Sequence, residues 1–295
     1  MSEFFTALVA GLGQGSVYAL LALSFVIIYK STRVISFAQP ALMLAGAVLV
    51  SYLVGPLGFP LAVLGGIAGV AVLALGVERT VVRPMIGKPV FAVAIITLGV
   101  DIAVRVVVNG FIGTAVRQVG DPWGLSRIEV LGIVVQERHL AMMLTTLVVI
   151  VLLFALVKYT RIGLAMRATA YDQETALAQG ISVGTVFAVS WALAGGLAAL
   201  AGTFVATRSG VDQQLWIVAL IALPAIILGG LDSLGGAVIG GLTVGVVEEL
   251  VAAYQAGFAP WLGSDFSIVS PYVVMLIVLL VKPYGLFGTR EVERV

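Results

Sequence analysis

Inside the apolar run TLGVDIAVRVVVNG, Asp101 and Arg105 stand four residues apart, a spacing that puts both on one helix face. Ionisable side chains within an apolar span are costly, so such a carboxylate is read first for function. One chemistry it offers is ion or proton coupling. The other is a self-neutralising structural pair, each side chain supplying the other's partner. A relay would want carboxylates in neighbouring spans, and the only candidates, Glu248 and Glu249, lie toward the outer end of theirs. A second polar group sits in RVISFAQPALMLAGA, where Ser36 and Gln39 directly precede Pro40. A proline inside a helix removes a hydrogen bond and clashes with the preceding turn. Backbone freed at membrane depth must be covered by protein or by a water-filled cavity, and transporters bind substrate at such discontinuities. The stretch therefore reads either as a substrate pathway or as a plain kink near the interface, since Arg33 is seven residues away. Gln14, Ser16 and Thr97 join Ser36, Gln39 and Pro40 as pathway candidates.

The third polar group is TRIGLAMRATAYDQETALAQGIS, Thr160 to Ser182, set between two strongly apolar segments. Asp172 suits an N-cap, Glu174 falls in the first turn where the helix dipole favours an acid, and Gly180 suits the stop. These signals predict a two-turn helix over about Gln173 to Gln179. Ile162–Ala170 is a second helical piece, with Arg161 and Arg167 on its flanks. Short helices are marginal alone in water, so this insert must rest on something: a partner, its own bundle, or anionic lipid.

Other chemistries have no support in the sequence. There is no GxxxxGK[ST] phosphate loop, so the chain does not hydrolyse ATP itself. HExxH is absent, which disfavours an enzyme, and so are a TVGYG-like filter and an arginine-repeat voltage sensor. The chain has no Cys and a single His139, read as a loop histidine, so no metal site is expected. A net charge of +1 gives no footprint for nucleic acid.

The elements that must position these residues follow from composition. With 61% hydrophobic and 11% charged residues, and a mean hydropathy of +1.15, the surface must face lipid. The apolar run from Phe4 to Tyr29 exceeds the core of a signal peptide and lacks a basic flank before it, so it reads as a first span. With about 20 apolar residues needed per crossing, strong spans fall at Phe4–Tyr29, Ile35–Val54, Leu57–Val77, Val90–Val108, Leu140–Val157, Val183–Thr203 and Gly235–Ala253. Two shorter candidates, Trp216–Leu228 and Pro271–Val281, make eight or nine in all. The fold class is thus an all-α polytopic membrane protein, one transmembrane domain over residues 1–295, some of its helices broken or short.

With nine crossings and the N-terminus outside, eleven basic residues face inward: Lys30, Arg33, Arg79, Arg83, Lys88, Lys158, Arg161, Arg167, Lys282, Arg290 and Arg294. Four face outward: Arg117, Arg127, Arg138 and Arg208. By the positive-inside rule the loop at about 158–182 and the C-terminus are cytoplasmic, and the loop at about 109–139 is external. Glycines spaced for close helix packing line two spans: Gly11 and Gly15 in the first, Gly236, Gly240, Gly241 and Gly245 in another.

The chain resembles the permease subunits of branched-chain amino acid ABC transporters, of the LivH type within the larger family that also holds ribose-type sugar permeases. The resemblance covers nearly the whole length and rests on GLGQGSVYALLALSFVIIY, ISFAQPALMLAGA, RIGLAMRATAYDQETALAQGIS, ILGGLDSLGGAVIGGLTVGVVEEL and KPYGLFG. It implies that the 158–182 loop couples to an ATPase, through Arg161, Arg167, Ala170, Asp172, Glu174, Ala176, Gly180 and Ile181. It implies a second related permease as a heterodimer partner, two ATPase subunits that bind ATP and Mg, and a separate substrate-binding protein, in a bacterial inner membrane. No cofactor is expected on this chain. Leu, Ile or Val is the implied cargo, with urea, short amides or small carboxylates as the alternative for the same machine. Family members commonly carry Gly where this sequence has Pro40. From the residues alone, an ion-coupled carrier using Asp101 and a stand-alone channel remain the readings of other classes.

Overall fold

Lipid offers backbone groups no hydrogen bonds, so each crossing segment must satisfy its own as a helix. In the computed structural model, residues 2–85, 88–113, 115–124, 126–130, 133–263 and 266–288 are described. The helices are α1 (Ser2–Thr32), α2 (Gln39–Leu57), α3 (Phe59–Val77), α4 (Val90–Ile112), α5 (Glu137–Tyr159), α6 (Arg161–Tyr171), α7 (Gln173–Ala178), α8 (Val183–Ser209), α9 (Val218–Gly229), α10 (Leu234–Phe258) and α11 (Phe266–Val281). A π-type turn at Glu78–Val82 and a 3-10 turn at Arg83–Met85 prolong α3, and a 3-10 turn at Leu215–Ile217 leads into α9. Among the described residues, seven helical stretches are long and apolar enough to cross a membrane, while Leu215–Gly229 and Phe266–Val281 are shorter. The chain is an all-α polytopic membrane protein. Arg290 and Arg294, counted above to the inner side, lie outside the described residues.

Three expectations are corrected. The 109–139 loop holds a two-stranded hairpin, β1 (Arg127–Val130) paired antiparallel with β2 (Ile133–Gln136), Arg127 opposite Gln136. Its alternation is too short to stand out beside segments of twenty apolar residues. His139 is in the first turn of α5, not in a loop. Pro40 does not break a helix: it is in the first turn of α2, where its missing N–H leaves no bond unmade. The discontinuity lies just before it, in the non-helical link of residues 33–38.

Backbone proximity divides the chain into two compact units. The first comprises Met1–Val26, Trp123–Leu147 and Leu220–Val295. In it α1 and α10 cross at their glycines. A Cβ on Gly11 would come within 2.7 Å of the Val246 Cα, and one on Gly15 within 2.8 Å of the Leu242 Cα. Gly241 and Gly245 return the contact against Ala19 and Gly15. Gly236 and Gly240 face the other way, against the Gly229 and Ala225 carbonyls of α9. The last carbonyls of α9 are satisfied from the C-terminal segment: Leu286 and Phe287 donate their N–H to Leu228 and Gly229, at 2.8 and 3.2 Å.

The second unit comprises Ile27–Pro122 and Val148–Ala219. Its core is the mutual packing of α2, α3 and α8 through small residues, with Gly46 against Ala199, Gly66 against Val50 and Gly195 against Ala74. Van der Waals contact at such short range replaces the hydrophobic drive that lipid abolishes.

Candidate functional site

The link between α1 and α2 is a stretch of buried, non-helical backbone in the second unit. Residues Ile35–Ala38 carry no helical ladder, yet Ser36, Ala38 and Gln39 are buried. Their donors are met from elsewhere. The Phe37 N–H donates to the Thr97 hydroxyl at 3.0 Å, and the Ala38 N–H to the Ser36 hydroxyl at 3.3 Å. The Ala41 N–H, in the first turn of α2, donates to the Asp101 carboxylate at 3.0 Å. Asp101 thus caps α2 from a neighbouring helix, placing an anion where the helix dipole favours one. Its other oxygen is 2.5 Å from the Arg105 guanidinium, which lies 3.9 Å above the Trp216 ring. Sequence spacing shows the pairing of Asp101 with Arg105; the N–H it caps, 60 residues away, and Trp216 leave no local signal.

Gln39 is the exception in this well-satisfied junction. It is fully buried, and neither its amide oxygen nor its nitrogen has a hydrogen-bond partner. An orphaned buried amide costs about 1–3 kcal/mol. That cost, at the first residue of α2, marks the place where a polar guest would find unused hydrogen-bonding capacity. Pro40, beside it, is buried in the first turn of α2. Gln14 and Ser16 fall in the first unit. Ser16 is buried, its hydroxyl spent on the Leu12 carbonyl at 2.7 Å, and Gln14 is partly exposed. Also in the first unit, the Tyr18 hydroxyl donates to Glu248 at 2.6 Å. Among the described residues no group of three or more His, Cys, Asp or Glu could hold a metal ion.

The insert is two helices closed by local caps. Thr160 caps α6 by accepting the Gly163 N–H at 3.1 Å. Asp172 caps α7, accepting the N–H groups of Glu174 and Thr175 at 2.9 and 3.0 Å and the Thr175 hydroxyl at 2.7 Å. The Thr175 backbone N–H and hydroxyl, with the Glu174 N–H, hold the Asp172 carboxyl below its ordinary range. At the far end Gly180 takes φ of 81°. There the Ile181 N–H reaches the Ala176 carbonyl and the Gly180 N–H the Leu177 carbonyl, at 3.0 and 2.9 Å. That is a Schellman stop, and it needs the left-handed residue that glycine supplies.

Two arginines tie the insert to the spans. Arg167 donates to the Val157 and Lys158 carbonyls at the end of α5. Arg33 donates through Nε and Nη2 to the Ala170 carbonyl, at 3.2 and 2.9 Å, from a strained backbone with φ of 57°. Of the residues singled out from sequence, Arg161, Arg167, Asp172, Glu174 and Gly180 are exposed, Ala170 and Ile181 half-buried, and Ala176 buried beneath α7. Sequence reading missed Arg33 as a tether and missed two bare apolar side chains. Tyr171 is 91% exposed and Leu177 57% exposed, one at the junction of the two helices and one on α7. The "TAY" and "ALA" positions could have been noticed as apolar residues on the solvent side of a capped helix.

Multiple long apolar helices, a buried polar link between two of them and a capped pair of short helices define a polytopic membrane protein. Residues 7–281 match the family described as branched-chain amino acid transport system / permease component. The chain belongs to that family. It is 28% identical over 303 residues to the high-affinity branched-chain amino acid transport system permease protein LivH of Escherichia coli K12, spanning 97% of this chain and 96% of the relative. It is 27% identical over 317 residues to BraD of Pseudomonas aeruginosa PAO1, likewise named a high-affinity branched-chain amino acid transport system permease, spanning 99% and 98%. It is 30% identical over 287 residues to the probable branched-chain amino acid transport permease protein LivH of Methanocaldococcus jannaschii, spanning 91% and 88%.

Proposed function

We propose that the chain is the membrane-spanning subunit of an ATP-driven importer that carries branched-chain amino acids inward by alternating access. ATP and Mg bind to two separate ATPase subunits, a second related permease completes the pathway, and a soluble or lipid-anchored binding protein delivers the cargo. The observation that carries this reading is the insert. A helix pair with caps at both ends, tethered by Arg33 and Arg167, holds Tyr171 and Leu177 bare to solvent. Aromatic and aliphatic groups fixed on a rigid exposed helix are what a docking partner buries. Arg161, Asp172 and Glu174 form its polar rim. The distribution of Lys and Arg supports a topology with this insert and the C-terminus cytoplasmic and the N-terminus outside, in the plasma membrane.

The polar link at Ser36, Gln39 and Thr97 is the proposed cargo contact in the second unit, with Gln14 and Ser16 its candidates in the first. Asp101 is taken as the cap of α2 and the partner of Arg105, not as an ion-coupling group, because both its oxygens are committed. The test is co-purification of the ATPase subunits with a tagged chain, alongside ATP-dependent leucine uptake. Scrambling residues 173–179 should abolish both while the chain still enters the membrane. Retention of ATPase binding and uptake in the scrambled chain would overturn the coupling assignment.

A further inference from the structure

Within the second unit, α3, α5 and α8 enclose an open groove of about 720 Å³. Its walls are apolar, with Ile67 and Ala71 from α3, Leu152 and Leu156 from α5, and Ala192 and Gly196 from α8. Polarity is confined to one end, where Arg79, Arg83 and Thr185 line it. Along α8 the groove extends from Thr185 to Leu200, a rise of ~22 Å at 1.5 Å per residue. Half of a ~30 Å hydrocarbon core is ~15 Å, so the groove traverses one leaflet from headgroup level and passes the midplane.

The charges at the polar end are not equivalent. Arg83 is held by Glu78 through two hydrogen bonds, at 3.0 and 3.1 Å, and by the Gly184 carbonyl at 2.8 Å. That pair is locally neutral. Arg79 is exposed, and its guanidinium has no partner among the described residues. Two residues beyond Leu156, Lys158 adds a further exposed cation at the end of α5. The mouth of the groove therefore carries net positive charge where lipid phosphates lie, and its length exceeds one leaflet, enough to hold a whole acyl chain. Basic pockets between membrane helices on the cytoplasmic side bind anionic headgroups on these terms.

We propose that this groove is a binding site for an anionic phospholipid, one acyl chain lying between α3, α5 and α8 and the phosphate against Arg79. The neutral Arg83–Glu78 pair fixes the floor of the mouth, and the free guanidinium of Arg79 selects the headgroup. The site is separate from the buried link at Gln39 and from the insert, and it stands whatever the cargo is.

The test is native mass spectrometry of the full-length chain in detergent, titrated with phosphatidylglycerol or phosphatidylcholine. The expected result is retention of one phosphatidylglycerol about fivefold over phosphatidylcholine, the ratio that one basic side chain near an anionic surface is worth. Arg79→Gln, on an exposed side chain, should lower phosphatidylglycerol retention to the phosphatidylcholine level while leaving phosphatidylcholine retention unchanged. Ala192→Trp should fill the groove and displace both lipids, in a chain whose size-exclusion profile matches the parent. Equal retention of the two lipids by the parent, or an undiminished preference in Arg79→Gln, overturns the proposal. The chain has no Cys, so Leu152→Cys gives a clean second readout. Efficient oxidative cross-linking of that variant to a second copy in membranes would make the groove a protein interface and equally overturn the lipid site.

Discussion

The first turns of two helices of this protein are capped by an aspartate, and the two caps could hardly differ more. Asp172 caps α7 from the adjoining residue, in water, and answers to no group outside its own turn. Asp101 caps α2 from α4, inside the membrane-spanning region, and is itself held by Arg105, which is held by Trp216. The first cap shapes a surface helix that a partner can press on. The second holds open a buried interruption of the backbone beside an unsatisfied Gln39. The contrast teaches where rigidity is spent: the exposed insert is stabilised locally and cheaply, whereas the buried link depends on a chain of partners that fails as a unit.

The largest expected effect comes from cutting that chain. Asp101→Ala strips Arg105 of its partner within the span and bares the Ala41 N–H, and breaking a buried pair costs about 3–5 kcal/mol. Thermal melting of the solubilised chain should show a severe loss, with Asp101→Asn less affected because an amide oxygen can still accept from Ala41. An unshifted melt for Asp101→Ala would mean the link is held by something else. The next effect is smaller and local. Gly180→Ala forces a Cβ into a left-handed conformation at a cost of roughly 1–2 kcal/mol. It should raise hydrogen exchange across residues 173–181 and leave the global melt unchanged. If the global melt moves instead, the insert is not an independent element.

Smaller again is Arg33→Ala, which removes the two bonds to the Ala170 carbonyl. Exchange near Tyr171 should rise by a factor of several, from the loss of a hydrogen bond of roughly 1 kcal/mol, and Arg33→Lys should not restore it because a single ammonium cannot copy the fork. The smallest effect is the pH response of the Asp172 cap. Its carboxyl titrates below the ordinary 3.8 in the folded chain. The cap is therefore fully effective above the unfolded value and is lost only as pH falls through the depressed one. Protection of α7 should be flat from about pH 8 down to about pH 5 and should decline only at lower pH. A decline already at pH 6 would point to a different titrating group.

The same contrast explains what the sequence made legible. All seven long crossings could be read from apolar length, because lipid imposes one ruler on every segment. The α7 boundaries followed from Asp172 and Gly180, since both signals lie within one turn of the helix they end. Pro40 signals an interruption, and an interruption exists, but it lies at residues 33–38, with the proline in the first turn of the next helix. A proline marks a discontinuity without saying on which side it falls. The role of Asp101 toward Ala41 and the tether from Arg33 to Ala170 span 60 and 137 residues. No local pattern encodes such separations. The KPYGLFG and ILGGLDSLGG segments both carry the family resemblance; only the fold brings Leu286 and Phe287 onto the end of α9.

The central claim is a division of labour, with cargo meeting the buried link and energy entering through the insert. The most direct measurement takes Gln39→Leu and Leu177→Asp in the transporter reconstituted with its ATPase subunits, and scores leucine uptake and ATPase retention for each. Gln39→Leu removes two orphaned polar atoms, so the account predicts an unchanged or higher melting temperature, full ATPase retention and a loss of uptake. Leu177→Asp should lose the ATPase subunits, and uptake with them, at an unchanged melting temperature. If Gln39→Leu transports leucine as well as the parent, or if Leu177→Asp keeps its ATPase subunits, the division does not hold.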